Sequence, residues 1–352
     1  APIMYRPVMS NGVRMAQNPI SGALLPQGYV GAFVPNTGDP GNGGVMSGDS
    51  TYPRGFVNER APNWGPRFGF AYDVFGNGKT AIRGGGAVLY NPRVSVWSAT
   101  SQNPPAIFTP VVYYGTINTL LQTSGVLAPS DTNAFQLDSK TPRNYNMSLS
   151  VQQDLGHGTL LSVAYAGVLG RYLQLTYALN TVPYGAQFKN IDPTTGLPKS
   201  DNFFRPYPGY NNINYIANAF TSNYNGLFVT LNRRFSGLDL GVSYSYSKFM
   251  DVTNGNTALP LYQNWHNWNY GSDPSDQTHN LVVNYVYRIP DASQLLGKNP
   301  LVRYVLDGWS ISGIAQFTTG FPVAMSFSTT DGANLNGGGD AHFTKQLLSA
   351  AF

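Results

Sequence analysis

Apolar and polar residues alternate along much of the chain in segments of about ten residues, a period of two that is typical of β-strands. In the first segment Phe68, Phe70 and Tyr72 fall on one side, while the alternate positions 67, 69 and 71 are arginine, glycine and alanine. The sequence Gly-Asn-Gly at 76–78 follows and is a turn signal, and a second alternating run leads to Tyr90. Residues 65–90 are therefore predicted to form a β-hairpin.

The same pattern occurs three more times, which predicts eight strands in four antiparallel hairpins. These hairpins are predicted at 65–90, 144–167, 223–248 and 279–319. Long loops are predicted between them at 91–143, 168–222 and 249–278, after a Gly/Pro/Asn-rich loop region at 1–64 and before a loop or terminal segment at 320–352. Short turns that alternate with long loops are typical of outer-membrane β-barrels, whose long loops are extracellular.

The two faces of these predicted strands differ in a way that favours a membrane barrel. One face is aliphatic and aromatic, and the other consists mostly of Gly, Ser, Ala, Asn and Gln. A soluble sandwich would carry many Lys and Glu residues on its outer face. We therefore predict an all-β fold, in which antiparallel up-and-down strands form part of a transmembrane β-barrel with long extracellular loops. The alternative is a soluble β-sandwich that uses tyrosine in its core.

Composition narrows the functional classes further. Charged residues make up 11% of the 352 residues, against about 25% in a typical soluble domain. The net charge of +4 and the absence of long basic runs argue against a nucleic-acid-binding protein, and the lack of cysteine excludes disulfides and thiolate metal sites. The sequence has neither an HExxH nor a GxSxG motif, and we expect no enzymatic activity.

Several stretches resemble the barrel of TonB-dependent outer-membrane receptors, most of all the Oar-like branch, whose chains begin with a carboxypeptidase-regulatory-like domain. The resemblance extends over roughly residues 60–352 and depends on the order and spacing of its motifs. They are GPRFGFAYDVFGNGKTAIRGGGAVLY (65–90), TPRNYNMSLSVQQDL (141–155), YAGVLGRYL (165–173), SNYNGLFVTLNRRFSGLDLGVSYSYSKFMD (222–251), SDQTHNLVVNYVYRIP (275–290), DGWSISGIAQFTTGFP (307–322) and QLLSAAF (346–352).

This resemblance implies a C-terminal barrel portion of a receptor in the bacterial outer membrane. Such receptors have about 22 strands around a plugged lumen, and they import an extracellular ligand with energy relayed by a TonB-type protein. We find eight candidate strands and no plug or TonB-contact segment, so we expect a fragment whose coupling to that partner needs upstream parts. The alternative is an extracellular β-rich assembly or fibre, in which the fragment self-associates through exposed strand edges.

One predicted loop is rich in groups that bind ligands. Aromatic rings beside amides and an imidazole suit sugars, peptides or aromatic ligands, because the rings stack and the polar groups form hydrogen bonds. The candidate ligand-binding residues are Tyr262, Asn264, Trp265, His266, Trp268 and Tyr270. The alternative is that these rings pack the loop onto neighbouring segments.

Two acidic residues in the same loop are candidate calcium ligands. Asp273 and Asp276 provide carboxylate oxygens in an Asp-Pro-Ser-Asp sequence, and calcium binds oxygen ligands in extracellular loops. The sequence does not fit the twelve-residue EF-hand pattern, and turn formation is the alternative explanation. We expect no other cofactor.

Overall fold

The structure is a computed structural model of the chain. It describes residues 1–45, 48–53, 58, 62–91, 103–183, 185–252, 259–260, 270–291, 293, 300, 304–305 and 307–323. The strands are β1 (Arg6–Ser10), β2 (Val13–Gln17), β3 (Leu24–Pro26), β4 (Arg67–Asp73), β5 (Thr80–Tyr90), β6 (Ser130–Phe135), β7 (Arg143–Gly156), β8 (Thr159–Ala178), β9 (Tyr210–Phe235), β10 (Leu238–Asp251), β11 (Leu259–Pro260), β12 (Gly271–Ser272), β13 (His279–Arg288) and β14 (Ser310–Thr318). Among the described residues, helical structure is limited to one α-turn at Ala186–Lys189, 3₁₀ turns at Gln27–Tyr29 and Asp201–Phe203, and isolated helical residues at 293, 300 and 304–305. None of the helices within these ranges is both long enough and apolar enough to span a membrane.

Eight strands form one antiparallel meander, which confirms the predicted fold class. Their order across the sheet is β14-β13-β10-β9-β8-β7-β5-β4, so each of these strands lies beside the one that precedes or follows it in this set along the chain. The short strands β6, β11 and β12 are outside this path and pair with β9, β8 and β10. Within the described ranges, β4 and β14 pair on one side only and are the edges of this open sheet.

The register places the predicted apolar residues on one face of the sheet. One continuous row across the strands consists of Tyr72, Ile82, Val151, Val163, Val229, Tyr244, Leu281 and Phe317. A row on the opposite face consists of Asp73, Ala81, Gln152, Ser162, Thr230, Ser243, Val282 and Gln316. The two faces therefore differ across the whole width of the sheet and not only within single hairpins.

In the part of the chain that the structure describes, no second protein layer covers the apolar face of the sheet. Leu149 and Leu227 lie on central strands, yet they remain 49% and 40% exposed. The buried apolar residues of the described ranges lie in the N-terminal region before residue 45 or towards the long-loop end of the large sheet. They are Tyr5, Ala16, Ala32, Phe33, Val34, Ala178, Val182, Ile213, Ala217, Phe220 and Val252. This distribution contradicts the soluble-sandwich alternative, in which the apolar face would form the core.

The boundaries predicted for the loop at 168–222 are wrong, because β8 continues to Ala178 and β9 already begins at Tyr210. A β-bulge between Arg171 and Leu173 shifts the pairing register, so the period-two pattern is interrupted although the strand continues. The loops predicted at 91–143 and 249–278 also contain strand structure, since β6 pairs with β9 in parallel and β12 pairs with the end of β10.

The region 1–64 is also not simply a loop, because β1, β2 and β3 form a separate antiparallel sheet. Asn11 and Gly12 form the turn between β1 and β2, with φ angles of 49° and 76°. Both residues need positive φ in a two-residue hairpin turn of this kind, and Asn-Gly is the pair that adopts it most readily. Tyr5, Ala16, Ala32 and Val34 form the small buried cluster of this unit.

Candidate functional site

Residues from three separate segments form one folded unit at the long-loop end of the sheet, which we call the cap (residues 1–45, 103–135 and 179–209). The Phe33 amide donates to the Leu127 carbonyl at 2.7 Å, and the Tyr210 hydroxyl of β9 donates to the Asn42 carbonyl at 2.6 Å. β6 belongs to the cap and extends it directly onto β9. The strands therefore hold the cap through backbone as well as side-chain contacts.

Asn180 is the central polar residue of the cap where it joins β8. Its side chain is completely buried, and its amide nitrogen lies 3.1, 3.1 and 2.8 Å from the carbonyl oxygens of Tyr207, Tyr210 and Asn211. Its side-chain oxygen accepts from the Tyr207 amide at 2.9 Å. One side chain thus satisfies backbone groups that would otherwise be buried without partners.

An ion pair connects the N-terminal sheet to the rest of the cap. Arg14 on β2 donates to Asp192 at 2.7 Å, and Asp192 is only 3% exposed. Burial alone would raise the pKa of the Asp192 carboxyl, but hydrogen bonds from Thr194 and Arg14 outweigh burial and hold that pKa below its usual value. The ionised carboxylate is therefore the form that stabilises this contact.

Replacing Asp192 with asparagine is expected to weaken docking of the N-terminal sheet by about 2 kcal/mol, because a buried partner of Arg14 loses its charge. Asp49→Asn is the matched control, since Asp49 accepts the corresponding two hydrogen bonds, from the amide and hydroxyl of Thr51, but forms no described ion pair.

The contribution of Asp192 to docking of the N-terminal sheet also depends on pH. Because the pKa of Asp192 is lowered on folding, this contribution is complete above about pH 4 and is lost as the pH falls further. Hydrogen exchange at the Thr194 amide measures both effects, and equal effects of the two variants would contradict the assignment.

The cap also carries a group of three tyrosines that the sequence analysis missed, in which Tyr114 is exposed while Tyr29 and Tyr113 are half-buried against the N-terminal cluster. The Tyr29 ring lies 4.9 Å from that of Tyr113 and 6.5 Å from that of Tyr114, measured between centroids. Tyr114 is 67% exposed and has a φ of 57°, which is unusual for a residue other than glycine. The adjacent Tyr113-Tyr114 pair is a signal in the sequence, but its proximity to Tyr29 follows only from the fold.

The predicted aromatic loop follows β11, which pairs with β8, and its last residue, Tyr270, packs on the ends of β9 and β10. Tyr262, Asn264, Trp265, His266 and Trp268 lie outside the described residues. Tyr270 is described: its hydroxyl accepts from the Asn223 side-chain amide at 2.6 Å, and its ring packs against the buried cluster of Phe220 and Val252. Tyr270 therefore anchors the C-terminal end of the loop.

Asp276 is a second anchor of this loop. It is 3% exposed, and its two oxygens accept from the Lys248 ammonium at 2.9 Å and from the Phe249 amide at 2.7 Å. Asp273 caps a turn by accepting from the amide of Ser275 at 2.8 Å and from its hydroxyl. Across the described ranges, no group of three or more metal-ligating side chains comes together. Calcium binding by Asp273 and Asp276 stays a prediction, and their described contacts are those of turn and loop anchors.

The family comparison decides the class of this architecture. A family described as an outer membrane beta barrel domain matches residues 21–349. The chain belongs to this family. The exposed apolar face is accordingly the surface that contacts lipid, and the protein is located in the bacterial outer membrane.

Comparison of structures shows how this outer membrane beta barrel domain relates to solved proteins. It is similar to the outer membrane transporter YddB from Escherichia coli, with a TM-score of 0.46 and 12% identity over 80% of this chain and 32% of that one. It is also similar to the FrpB iron transporter from Neisseria meningitidis, with a TM-score of 0.35 and 12% identity over 65% of this chain and 25% of that one. The siderophore receptor PirA from Acinetobacter baumannii gives a TM-score of 0.31 and 14% identity over 72% of this chain and 34% of that one.

The barrel domain thus spans about a quarter to a third of the length of these solved proteins. No curated protein matches the chain in sequence.

Proposed function

We propose that this barrel domain binds an extracellular ligand at its cap and long loops and contributes to the uptake of that ligand across the outer membrane. The observation that carries the proposal is the length of the central strands, since β8 has 20 residues and β9 has 26. A transmembrane strand needs about 9–11 residues, so roughly half of each strand projects beyond the bilayer. This projecting half carries the cap, which is the position that a ligand from outside meets first.

The polar face of the sheet supports a role in uptake. Its rows consist mainly of Ser, Gly, Ala, Thr, Gln and Asn, which are small or uncharged groups suited to a wet lumen or to contact with a plug. In a receptor of the TonB-dependent kind, energy coupling would reach this domain through a plug and a TonB-type protein that contacts other parts of the receptor. The proposal requires no catalytic chemistry from the chain.

The chemistry of the exposed groups favours a ligand with stackable faces and hydrogen-bonding edges. Tyr114 presents an exposed ring on the cap beside the half-buried rings of Tyr29 and Tyr113, and the aromatic loop adds Trp265 and Trp268 together with several amides. Sugars, peptides and aromatic compounds all combine a stackable face with polar groups. We therefore propose that the anchored aromatic loop, with Tyr270 at its described end, supplies ligand contacts.

Tryptophan substitution in the aromatic loop is expected to weaken ligand binding roughly tenfold or more, because stacking on two indole rings is lost. The measurement is titration of the purified protein with a panel of oligosaccharides and short peptides, followed by intrinsic fluorescence and calorimetry. The Trp265→Ala/Trp268→Ala double variant is compared with Trp309→Ala, because Trp309 lies just before β14, outside the cap and the aromatic loop, and is 60% exposed. Unchanged affinity of the double variant for a probe that binds the unmodified protein would refute the role of the loop.

The open edges of the sheet favour a second candidate function, the formation of an extracellular fibre. Among the described residues, β4 and β14 each pair on one side only, and such edges pair readily with further strands. In a larger barrel these partners are other strands of the same chain, whereas in an extracellular fibre they would be strands of other copies. Mass spectrometry of the native material separates the two, because a single receptor-sized chain excludes a fibre built from this piece.

A further inference from the structure

Positive charges gather on the lipid-facing surface at the upper limit of the apolar rows. Arg143 pairs with Tyr90 on one side and with Arg171 on the other, and paired residues share a face of the sheet. Two positions further along β7 is Tyr145, which belongs to the same face as Met147 and Leu149. The row of Tyr90, Arg143 and Arg171 therefore follows directly above the hydrocarbon-facing residues, where the headgroups of the outer leaflet begin.

Two cations from different segments meet at the ring of Tyr172. The Lys140 ammonium lies 4.7 Å from the ring centroid and 3.1 Å from the phenol oxygen, and the Arg143 guanidinium carbon lies 4.8 Å from the same centroid. Tyr172 adopts a φ of 57° at the bulge in β8. Non-glycine residues with positive φ are maintained only where the surrounding structure compensates for their cost, and here the bulge presents the ring between the two cations.

These cations have no acidic partner among the described ion pairs. The three pairs within the described ranges involve Arg14, Lys248 and Arg288. In the same ranges the Nε of Arg143 is buried without a hydrogen-bond partner. Positive charge therefore accumulates here without a described acidic partner, next to a surface that faces lipid.

We infer that Lys140, Arg143 and Tyr172 form a binding site for the phosphate group of an outer-leaflet lipid. A guanidinium provides a planar pair of donors that matches phosphate oxygens, and an ammonium beside it adds a point charge. The phenol adds a third polar group, and the apolar rows below accommodate the acyl chains. Cations at this depth would otherwise face either hydrocarbon or water, so an anionic headgroup is the complementary occupant.

The test measures lipid binding by the full chain with native mass spectrometry, using detergent supplemented with lipid A that carries its phosphates. Lys140→Gln/Arg143→Gln is expected to weaken binding roughly thirtyfold, the factor expected when two cations that face anionic headgroups are lost. Arg233→Gln is the control, because Arg233 is a cation 5.2 Å from the ring of Phe235 at the opposite end of the sheet, where the site does not extend. Equal binding by the double variant and the unmodified protein would overturn the inference, as would an equal loss in the control.

Two further arms identify the source of the phosphate. Dephosphorylated lipid A is expected to bind as weakly to the unmodified protein as the phosphorylated lipid binds to the double variant. Inorganic phosphate in large excess is expected not to displace the lipid, and full displacement would show a site for free phosphate instead. If the double variant does not fold, Lys140→Gln alone tests the inference, because Lys140 is exposed outside the strands, and unchanged lipid binding there would overturn the inference.

Discussion

Replacing Val163 with arginine is expected to destabilise the folded barrel by about 2–4 kcal/mol, which makes it one of the two most damaging changes considered. Val163 lies in the middle of the apolar row, with Val151 and Val229 as its neighbours on either side. An arginine there must lie in hydrocarbon or extend its long side chain towards the interface. The loss of folding stability therefore comes from placing a charge in the lipid around this face, and not from a lost protein contact.

Ser162→Arg is the control for this prediction, since Ser162 is the preceding residue and faces the opposite side. Its row already contains Gln152 and Thr230, and the adjacent row contains Arg83, which donates to Gln152 at 2.7 Å. We expect Ser162→Arg to change the free energy of unfolding by less than about 1 kcal/mol. Urea titration of folding into lipid vesicles, followed by the mobility shift of the folded barrel on gels, gives both values. Similar costs for the two variants would mean that the faces are assigned wrongly.

The assignment of faces could be made from the sequence because it depends on local alternation. Each of the eight strands repeats the pattern that separates Phe70 and Tyr72 from Gly69 and Ala71, and three of the seven connections between neighbouring strands are short turns. Register in such hairpins is set by the turn and by the pattern of the faces. The faces of all eight strands therefore follow from local alternation, whereas their order across the long loops follows from the tendency of consecutive strands to pair.

The cap could not be predicted in the same way, because its contacts join distant segments. The parallel pairing of β6 with β9 and the ion pair between Arg14 and Asp192 connect residues about 80 and 178 positions apart. The upper part of β9 is rich in asparagine and lacks the plain alternation of the lower part, since protein surrounds it in place of lipid. One local signal was available, namely Asn11-Gly12, and it identifies the first hairpin of the N-terminal sheet.

The candidate site likewise combines groups that the sequence reveals with contacts that only the fold reveals. Aromatic and amide groups between 261 and 270 are visible in the sequence, because composition alone reveals them. The anchoring of this loop by Asp276 and Lys248 is not visible, since it requires the pairing of β10 with β12 to bring the two residues together. Composition therefore suggested which groups are candidates for ligand contact, and only the fold showed how Tyr270 and Asp276, after these residues in the chain, are anchored.

Replacing Asn180 with aspartate is expected to disorder the cap around β8 and β9 at a cost of about 3 kcal/mol or more. The change keeps the size of the side chain but exchanges a nitrogen that donates towards three carbonyl oxygens for an oxygen that repels them. Because the site is fully buried, water cannot supply the missing donor. The acceptor for the Tyr207 amide is retained, so the expected cost comes from the lost donor and the buried charge.

Hydrogen exchange measures this effect where it arises. The Leu179 amide donates to the Ile213 carbonyl at 2.8 Å, and its protection is expected to fall roughly a hundredfold, while amides that pair β10 with β13 keep theirs. Asn190→Asp is the matched control, because Asn190 is exposed and its amide donates to the Ala186 carbonyl alone among the described contacts. Unchanged protection at Leu179 would show that Asn180 is not what holds the cap on the strands. Loss of protection at Leu179, with protection retained between β10 and β13, would instead show that the strands of the barrel wall and the cap are stabilised separately. The wall would then depend on lipid and backbone pairing, and the cap on buried polar contacts. Changes to the polar contacts of such a cap are therefore expected to leave the pairing of the wall strands unaltered.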